Sequence, residues 1–164
     1  MLKLLIYFFF KMIASAGKIL ISTDSNDDAN FHQSVILIAE HNENGALGFV
    51  VNKISERTLN ELAEFSNSLA FPLFEGGPVS NEYLYFIHKR NDLIPDGALI
   101  IDDLYFGGDF KQAITLINNY TITTNDIKIF IGYCGWNKNE LETEIAEGSW
   151  YVKNYNHSTA FAEK

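Results

Sequence analysis

The residues best suited to chemistry in this chain are one cysteine, a few histidines and a group of glutamates. Cys134 ends an apolar segment, and Glu142 follows it closely. His41 lies in a turn-like segment, and His88 ends another apolar run. A nucleophile or carboxylate beside a histidine is the usual arrangement of a hydrolytic site. One hypothesis is therefore a hydrolase-type enzyme that uses His41 or His88 with Glu142 or Cys134.

A structural role accounts for the same residues equally simply. A free cysteine that ends an apolar strand is usually a small buried side chain. Glu142 lies between the apolar positions Leu141 and Ile145, so it could accept a hydrogen bond from an indole N–H of Trp136 or Trp150. The neighbouring acids Glu140 and Glu144 are expected to face solvent. The histidines show no metal-ligand spacing, so the sequence predicts neither a metal site nor a cofactor.

A second hypothesis is a non-catalytic regulatory or interaction domain. The segment Gly76–Val79 places two glycines before a proline, which favours a tight turn and could leave backbone N–H groups free for an anion. A groove near this turn and Trp136 would bind an unknown protein or small molecule. No catalytic residue is assigned in this hypothesis, and the candidate groove residues are Asn30, His41, Asn52, Gly76, Gly77, Pro78, His88, Trp136 and Glu142.

Composition limits the classes of protein to which this chain can belong. With 164 residues and 47% hydrophobic residues, the chain is long and apolar enough to bury one core. Its net charge of −9 repels phosphate backbones, so direct binding to nucleic acid is disfavoured. A single cysteine excludes an intramolecular disulfide and favours the cytoplasm.

The two ends of the chain differ from its body. Residues 1–16 read either as an extension upstream of a start at Met12 or as a signal-like segment, and their apolar run is too short to span a membrane. Residues 17–153 form the predicted single domain. Residues 154–164 are predicted to be a polar, frayed tail.

The elements that must position these side chains alternate between strand and helix patterns. The Asn44-Gly45 turn predicts a hairpin over Ser34–Asn52. Helices are predicted from a capping box at Thr58, over Asp109–Asn118, and over Asn139–Glu147. The remaining predicted strands are Lys18–Ser22, Glu82–His88, Ala98–Asp102, Ile127–Cys134 and Trp150–Val152. Hairpins precede helices without a regular βαβ rhythm, so the pattern indicates an α+β fold.

An ordered series of short motifs resembles the YqgE/AlgH family of bacterial proteins. The motifs are Leu20-Ile21-Ser22, Asn30-Phe31, His41-Asn42, Gly45-Ala46-Leu47-Gly48, Asn52, Gly76-Gly77-Pro78-Val79, His88, Gly132-Tyr133, Gly135-Trp136, Leu141-Glu142, Glu144, Gly148 and Trp150. Cys134 departs from the small residue typical of the family, and Asn137–Glu140 departs from its usual glycine-containing segment. The resemblance implies an α+β fold with a bifurcated, partly barrel-like mixed β-sheet surrounded by short helices. It also implies a cytoplasmic protein without an established molecular function, although some members are labelled as candidate transcriptional regulators.

Overall fold

A computed structural model describes residues 14–161 of the chain, so predictions for residues 1–13 and 162–164 lie outside it. The strands within this range are β1 Ile19–Ser22, β2 Val35–Asn42, β3 Gly45–Val50, β4 Ile54–Thr58, β5 Pro72–Glu75, β6 Val79–His88, β7 Ala98–Ile101, β8 Leu104–Phe106, β9 Ile127–Asn137 and β10 Trp150–Lys153. The α-helices in this range are α1 Phe110–Asn118, α2 Glu140–Ala146 and α3 His157–Phe161. Short 3₁₀ helices occupy Ala29–Phe31, Leu59–Glu61 and Ala63–Phe65.

Strand β9 is the branch point of the sheet. The main path runs β10-β1-β2-β3-β9-β6-β8-β7, and β5 adds to β9 as a parallel strand that also pairs with β4. The N-terminal half of β9 pairs with β5 and β6, whereas Cys134–Asn137 pairs with β3. The predicted α+β class with a bifurcated mixed sheet is confirmed, and the sheet does not close into a barrel.

The branch requires a glycine at the centre of β9. Gly132 has φ of +70°, and a Cβ atom there would collide with the carbonyl oxygen of Gly77. Only glycine adopts this backbone readily and leaves room for the neighbouring chain. The bend at Gly132 therefore lets one strand serve both parts of the sheet.

Side chains alternate across β9, so this strand contributes to more than one hydrophobic cluster. Ile127, Ile129 and Ile131 pack under α1 with Leu73 and Ile117. On the opposite side, Phe130 stacks on Phe49 at 4.5 Å between ring centroids, within a cluster that includes Ile19 and Leu37. A third cluster joins the C-terminal half of β9 to α2 and β10. These three clusters position the candidate functional side chains.

The hairpin and α1 agree with the sequence, but the helix predicted after Thr58 is wrong. Two 3₁₀ helices stand there, separated by Leu62 in an extended conformation. A spacing of three residues suits a 3₁₀ helix as well as an α-helix, which explains the misassigned stripe of Leu59, Leu62 and Phe65. The Thr58 N–H still donates to Glu61 Oε2 at 2.6 Å, as the capping motif predicts.

The frayed tail is also contradicted within the described residues. Residues His157–Phe161 form α3, and Ala160 and Phe161 are buried in the cluster around Phe49. The ammonium of Lys89 lies 4.5 Å from the centre of the Phe161 ring. Two apolar side chains therefore anchor a segment whose overall composition is polar.

Candidate functional site

The carboxylate of Glu144 links the two tryptophans beneath α2. Its Oε2 atom accepts hydrogen bonds from Trp136 Nε1 at 2.9 Å and from Trp150 Nε1 at 2.7 Å. Both rings are almost fully buried and meet edge to face, with centroids 6.3 Å apart. This arrangement satisfies both indole N–H groups with a single acceptor.

The prediction that Glu142 holds a tryptophan, and that Glu144 is a solvated acid, is therefore wrong. At about 100° per residue, Glu144 and Glu142 lie on opposite sides of the helical stripe formed by Leu141 and Ile145. The tryptophans lie on the Glu144 side. The sequence places a carboxylate on each side and does not indicate which side faces them.

Glu142 instead pairs with His41, which brings together two of the predicted residues. His41 Nε2 and Glu142 Oε1 are 2.6 Å apart, and the Glu142 side chain is about half exposed. Burial acts to raise the pKa of Glu142. Hydrogen bonds from the backbone N–H of Glu142 and from His41 outweigh burial, so the pKa is lowered. The pair is a surface link between β2 and α2.

Cys134 is a buried structural residue rather than a nucleophile. Its side chain is 1% exposed, and Sγ donates to the Gly76 carbonyl oxygen at 3.4 Å. Burial raises the pKa of the thiol to about 12. The thiolate is the reactive form of cysteine, and almost none of Cys134 is in this form at neutral pH.

We expect native protein to resist alkylation at Cys134. At pH 8, iodoacetamide should label it at least about 100-fold more slowly than the unfolded chain, because the thiolate fraction falls about tenfold per unit of pKa. Mass spectrometry of the labelled protein measures this rate. A Cys134→Ser/Thr115→Cys variant, with its cysteine on the exposed face of α1, is the positive control. Equal labelling of Cys134 and the control cysteine would contradict its burial.

His88 is likewise occupied within the fold. Its ring is fully buried, Nε2 donates to the Gly107 carbonyl oxygen at 3.0 Å, and Nδ1 accepts from the Arg90 N–H at 3.2 Å. Burial lowers the pKa of His88. A neutral ring protonated at Nε2 satisfies both contacts, so His88 serves the junction of β6 with the following loop.

The Gly76–Pro78 turn packs against β9. The Gly76 N–H donates to the Ile131 carbonyl oxygen at 2.9 Å, and the Gly76 carbonyl oxygen accepts from the Val50 N–H at 2.9 Å. A Cβ atom on Gly77 would collide with the backbone of Tyr133. The Gly76 amide is therefore part of the sheet and is not available to an anion.

The two predicted asparagines lie at the other end of the β2–β3 hairpin from His41. Asn52 Oδ1 accepts from the Val35 N–H at 3.0 Å, and its Nδ2 donates to the Gln33 carbonyl oxygen at 2.9 Å. The carbonyl oxygen of Asn30 accepts from Lys53 Nζ at 3.1 Å. Asn52 thus tethers the start of β2 to the end of the hairpin.

Two concave regions each contain one of the nine predicted groove residues, Trp136 in one and Asn52 in the other, and the remaining seven line neither region. A surface groove of about 440 Å³ is lined by residues that include Glu40, Val79, Tyr133 and Trp136, near the groove predicted from the sequence. Asn52 lines a separate cavity of about 430 Å³. The nine predicted residues therefore do not converge on a single site.

The cavity lies between the β4–β5 pair, β9 and α3, and the sequence did not predict it. Its apolar wall includes Val35, Val51, Ile54, Phe71, Phe74 and Phe161. Polar side chains at the cavity are Asn52, Thr124, Ser158, Thr159 and Lys128. A volume of this size suits a small organic molecule, since such sites commonly span about 300–1,000 Å³.

Lys128 is the unusual residue of this cavity. It is only 4% exposed, Nζ donates to the Val51 carbonyl oxygen at 2.9 Å, and Nζ lies 4.1 Å from the centre of the Phe74 ring. Burial lowers the pKa of Lys128 to about 8. Its signal in the sequence is a lone lysine inside the apolar run Ile127–Ile131, which the strand prediction passed over.

The comparisons with known proteins decide the family. A family model described as AlgH-like matches residues 19–164. The chain belongs to the AlgH-like family. The resemblance to YqgE/AlgH proteins is thus confirmed over most of the chain.

Individual AlgH-like relatives agree with this assignment. A UPF0301 protein of Chlorobaculum parvum is 36% identical over 155 residues, covering 94% of this chain and 82% of the relative. A UPF0301 protein of Parabacteroides distasonis is 42% identical over 138 residues, covering 83% of this chain and 70% of the relative. The solution structure of AlgH from Pseudomonas aeruginosa matches with a TM-score of 0.72 at 25% identity, covering 90% of this chain and 80% of that one. A crystal structure from Corynebacterium diphtheriae, at 20% identity and a TM-score of 0.73, covers 92% and 81% and shows the same fold.

Two further observations bear on the chemistry of this AlgH-like chain. Across residues 14–161, no group of three or more His, Cys, Asp or Glu side chains is arranged to hold a metal ion. No helix in the same range is long and apolar enough to cross a membrane. The geometry therefore offers a cavity, a groove and one exposed His–Glu pair.

Proposed function

We propose that this AlgH-like chain is a non-catalytic regulatory or interaction domain that binds a small, mostly apolar molecule in the Lys128 cavity. The observation that carries the proposal is a cavity of about 430 Å³ with an apolar wall and one buried cation. A mostly apolar lining with few polar groups is typical of small-molecule sites. A cytoplasmic location, favoured by the single cysteine, forms part of the same proposal.

The candidate catalytic groups favour a binding role over the hydrolase alternative. Cys134 is inert in its buried position, and both ring nitrogens of His88 are used by the backbone. His41 and Glu142 bond to each other, and Cys134 contacts Gly76 rather than either of them. A hydrolase needs a nucleophile, or an activated water, within hydrogen-bond reach of its base. Among residues 14–161, no hydroxyl or thiol is hydrogen-bonded to His41 or Glu142, so the pair supplies a base without a nucleophile there.

An uncharged fluorescent probe tests whether the cavity binds ligands. N-phenyl-1-naphthylamine should bind with 1:1 stoichiometry and gain fluorescence, because the cavity wall is apolar. Thr159 is exposed at the cavity, so Thr159→Trp should fill its mouth and weaken binding at least about tenfold, a loss of about 1.4 kcal/mol.

Thr115→Trp is the matched control, because Thr115 is exposed on α1 and does not line the cavity. It should bind the probe as the wild type does. Absence of saturable binding, or an equal loss in both variants, would contradict a ligand site at the cavity.

A further inference from the structure

The charge balance of the Lys128 cavity indicates the chemical class of its ligand, an inference that rests on the proposed function. An ammonium group has three N–H donors. The described structure gives Nζ one hydrogen-bond acceptor, the Val51 carbonyl oxygen, and the face of the Phe74 ring. Donor capacity therefore remains on the ammonium of a lysine that is only 4% exposed and lines the cavity.

Buried lysines are normally paired with an acid, because an isolated charge is costly to desolvate. Among residues 14–161, no carboxylate forms an ion pair with Lys128, and no other ionisable side chain lines the cavity. The charge of Lys128 is thus left without a counterion in the described fold.

Charged groups on the surrounding elements are engaged or directed elsewhere. Lys53, beyond β3, bonds the Asn30 carbonyl oxygen, and Lys89, at the end of β6, lies over Phe161. Asp126, before β9, accepts from Thr123, and His157, on α3, contacts Asp103 and Tyr155. Glu75 on β5 and Glu56 and Arg57 on β4 have exposed side chains and do not line the cavity.

We propose that the cavity binds a small amphipathic carboxylic acid, whose carboxylate pairs with the Lys128 ammonium and whose hydrocarbon part packs against Phe71, Phe74 and Phe161. A carboxylate supplies the missing counterion and can accept the remaining N–H donors. The aromatic wall provides the apolar surface that the hydrocarbon part would bury.

The single cation favours a singly charged anion over a phosphate. Multiply charged groups are usually held by several donors or by arginine. Among residues 14–161, the cavity lining includes no arginine and one lysine, in a protein whose net charge is −9. A polyanion would meet repulsion from the whole chain with only one compensating charge.

The test compares octanoate with 1-octanol as competitors of the neutral naphthylamine probe. The ratio of octanoate affinity to octanol affinity should be at least tenfold higher in the wild type than in Lys128→Met. Only octanoate carries a carboxylate that can pair with the Lys128 ammonium. Lys111→Met, an exposed lysine on α1, should keep the wild-type ratio. Octanoate binding should also weaken as pH rises above about 8, since the free lysine then loses its proton.

The outcomes separate the two proposals. If the probe and octanol bind but Lys128→Met leaves the ratio unchanged, the cavity is a ligand site and the carboxylate inference is wrong. If the probe does not bind the wild type, the proposed function itself fails. Probe binding to Lys128→Met shows that this variant is folded.

Discussion

Replacing Glu144 with alanine should lower the free energy of unfolding by about 2–4 kcal/mol, because two buried donors lose their only shared acceptor. Trp136 and Trp150 both donate to Glu144 Oε2, and each ring is at most 6% exposed. An unsatisfied buried donor costs about 1–3 kcal/mol. Glu144→Gln keeps one acceptor oxygen, so its loss should be smaller, about 1 kcal/mol.

Urea unfolding followed by tryptophan fluorescence measures this effect directly, since Trp136 and Trp150 are the only tryptophans in the chain. Glu147→Ala is the matched control at the end of the same helix, where the side chain is exposed. It should change stability by less than about 0.5 kcal/mol. Equal stability of Glu144→Ala and Glu147→Ala would contradict a stabilising role for the Glu144 hydrogen bonds, and would leave packing alone to hold the two tryptophan rings in place.

The stability of the wild type relative to Lys128→Met should increase by about 3 kcal/mol between pH 7.5 and 10.5, since one pKa unit is worth about 1.36 kcal/mol. The pKa of Lys128 falls from 10.5 to about 8 on folding. Between these values the unfolded chain binds the proton more tightly, so rising pH favours the folded state. Below about pH 8 both states are protonated and the cost of burying the charge is constant.

Urea unfolding of both proteins at a series of pH values measures this difference. The Cys134 thiol, with its pKa raised to about 12, acts in the opposite direction above pH 9 but is present in both proteins and cancels. A pH-independent difference would show that Lys128 keeps its ordinary pKa and is not buried as a charge.

Patterns within a short segment of the sequence predicted the elements that are stabilised by contacts within that same segment. The Asn44-Gly45 turn predicted the β2–β3 hairpin, and Asp109 with the apolar spacing after it predicted α1, where Asp109 caps the Gln112 N–H at 3.0 Å. By contrast, β4 and β5 escaped prediction. Strand β4 is largely exposed, and β5 is a four-residue strand whose parallel partner β9 lies more than fifty residues away.

The candidate site was less predictable, because it depends on how elements dock. The sequence placed acids on both sides of α2, and only the packed helix shows that Glu144 contacts the tryptophans while Glu142 contacts His41. Lys128 occupies a regular strand position. Its place in an aromatic cavity depends on Phe74 from β5 and Phe161 from α3, which are distant from it in the sequence. A pattern within one segment cannot carry such long-range information.

A crystal structure of the protein with octanoate tests the proposed Lys128 site most directly. We expect electron density for the ligand between β5, β9 and α3, with its carboxylate within hydrogen-bond distance of Lys128 Nζ and its chain against Phe74. A cavity that stays empty at saturating octanoate, or octanoate bound with its carboxylate away from Lys128, would contradict the proposed site.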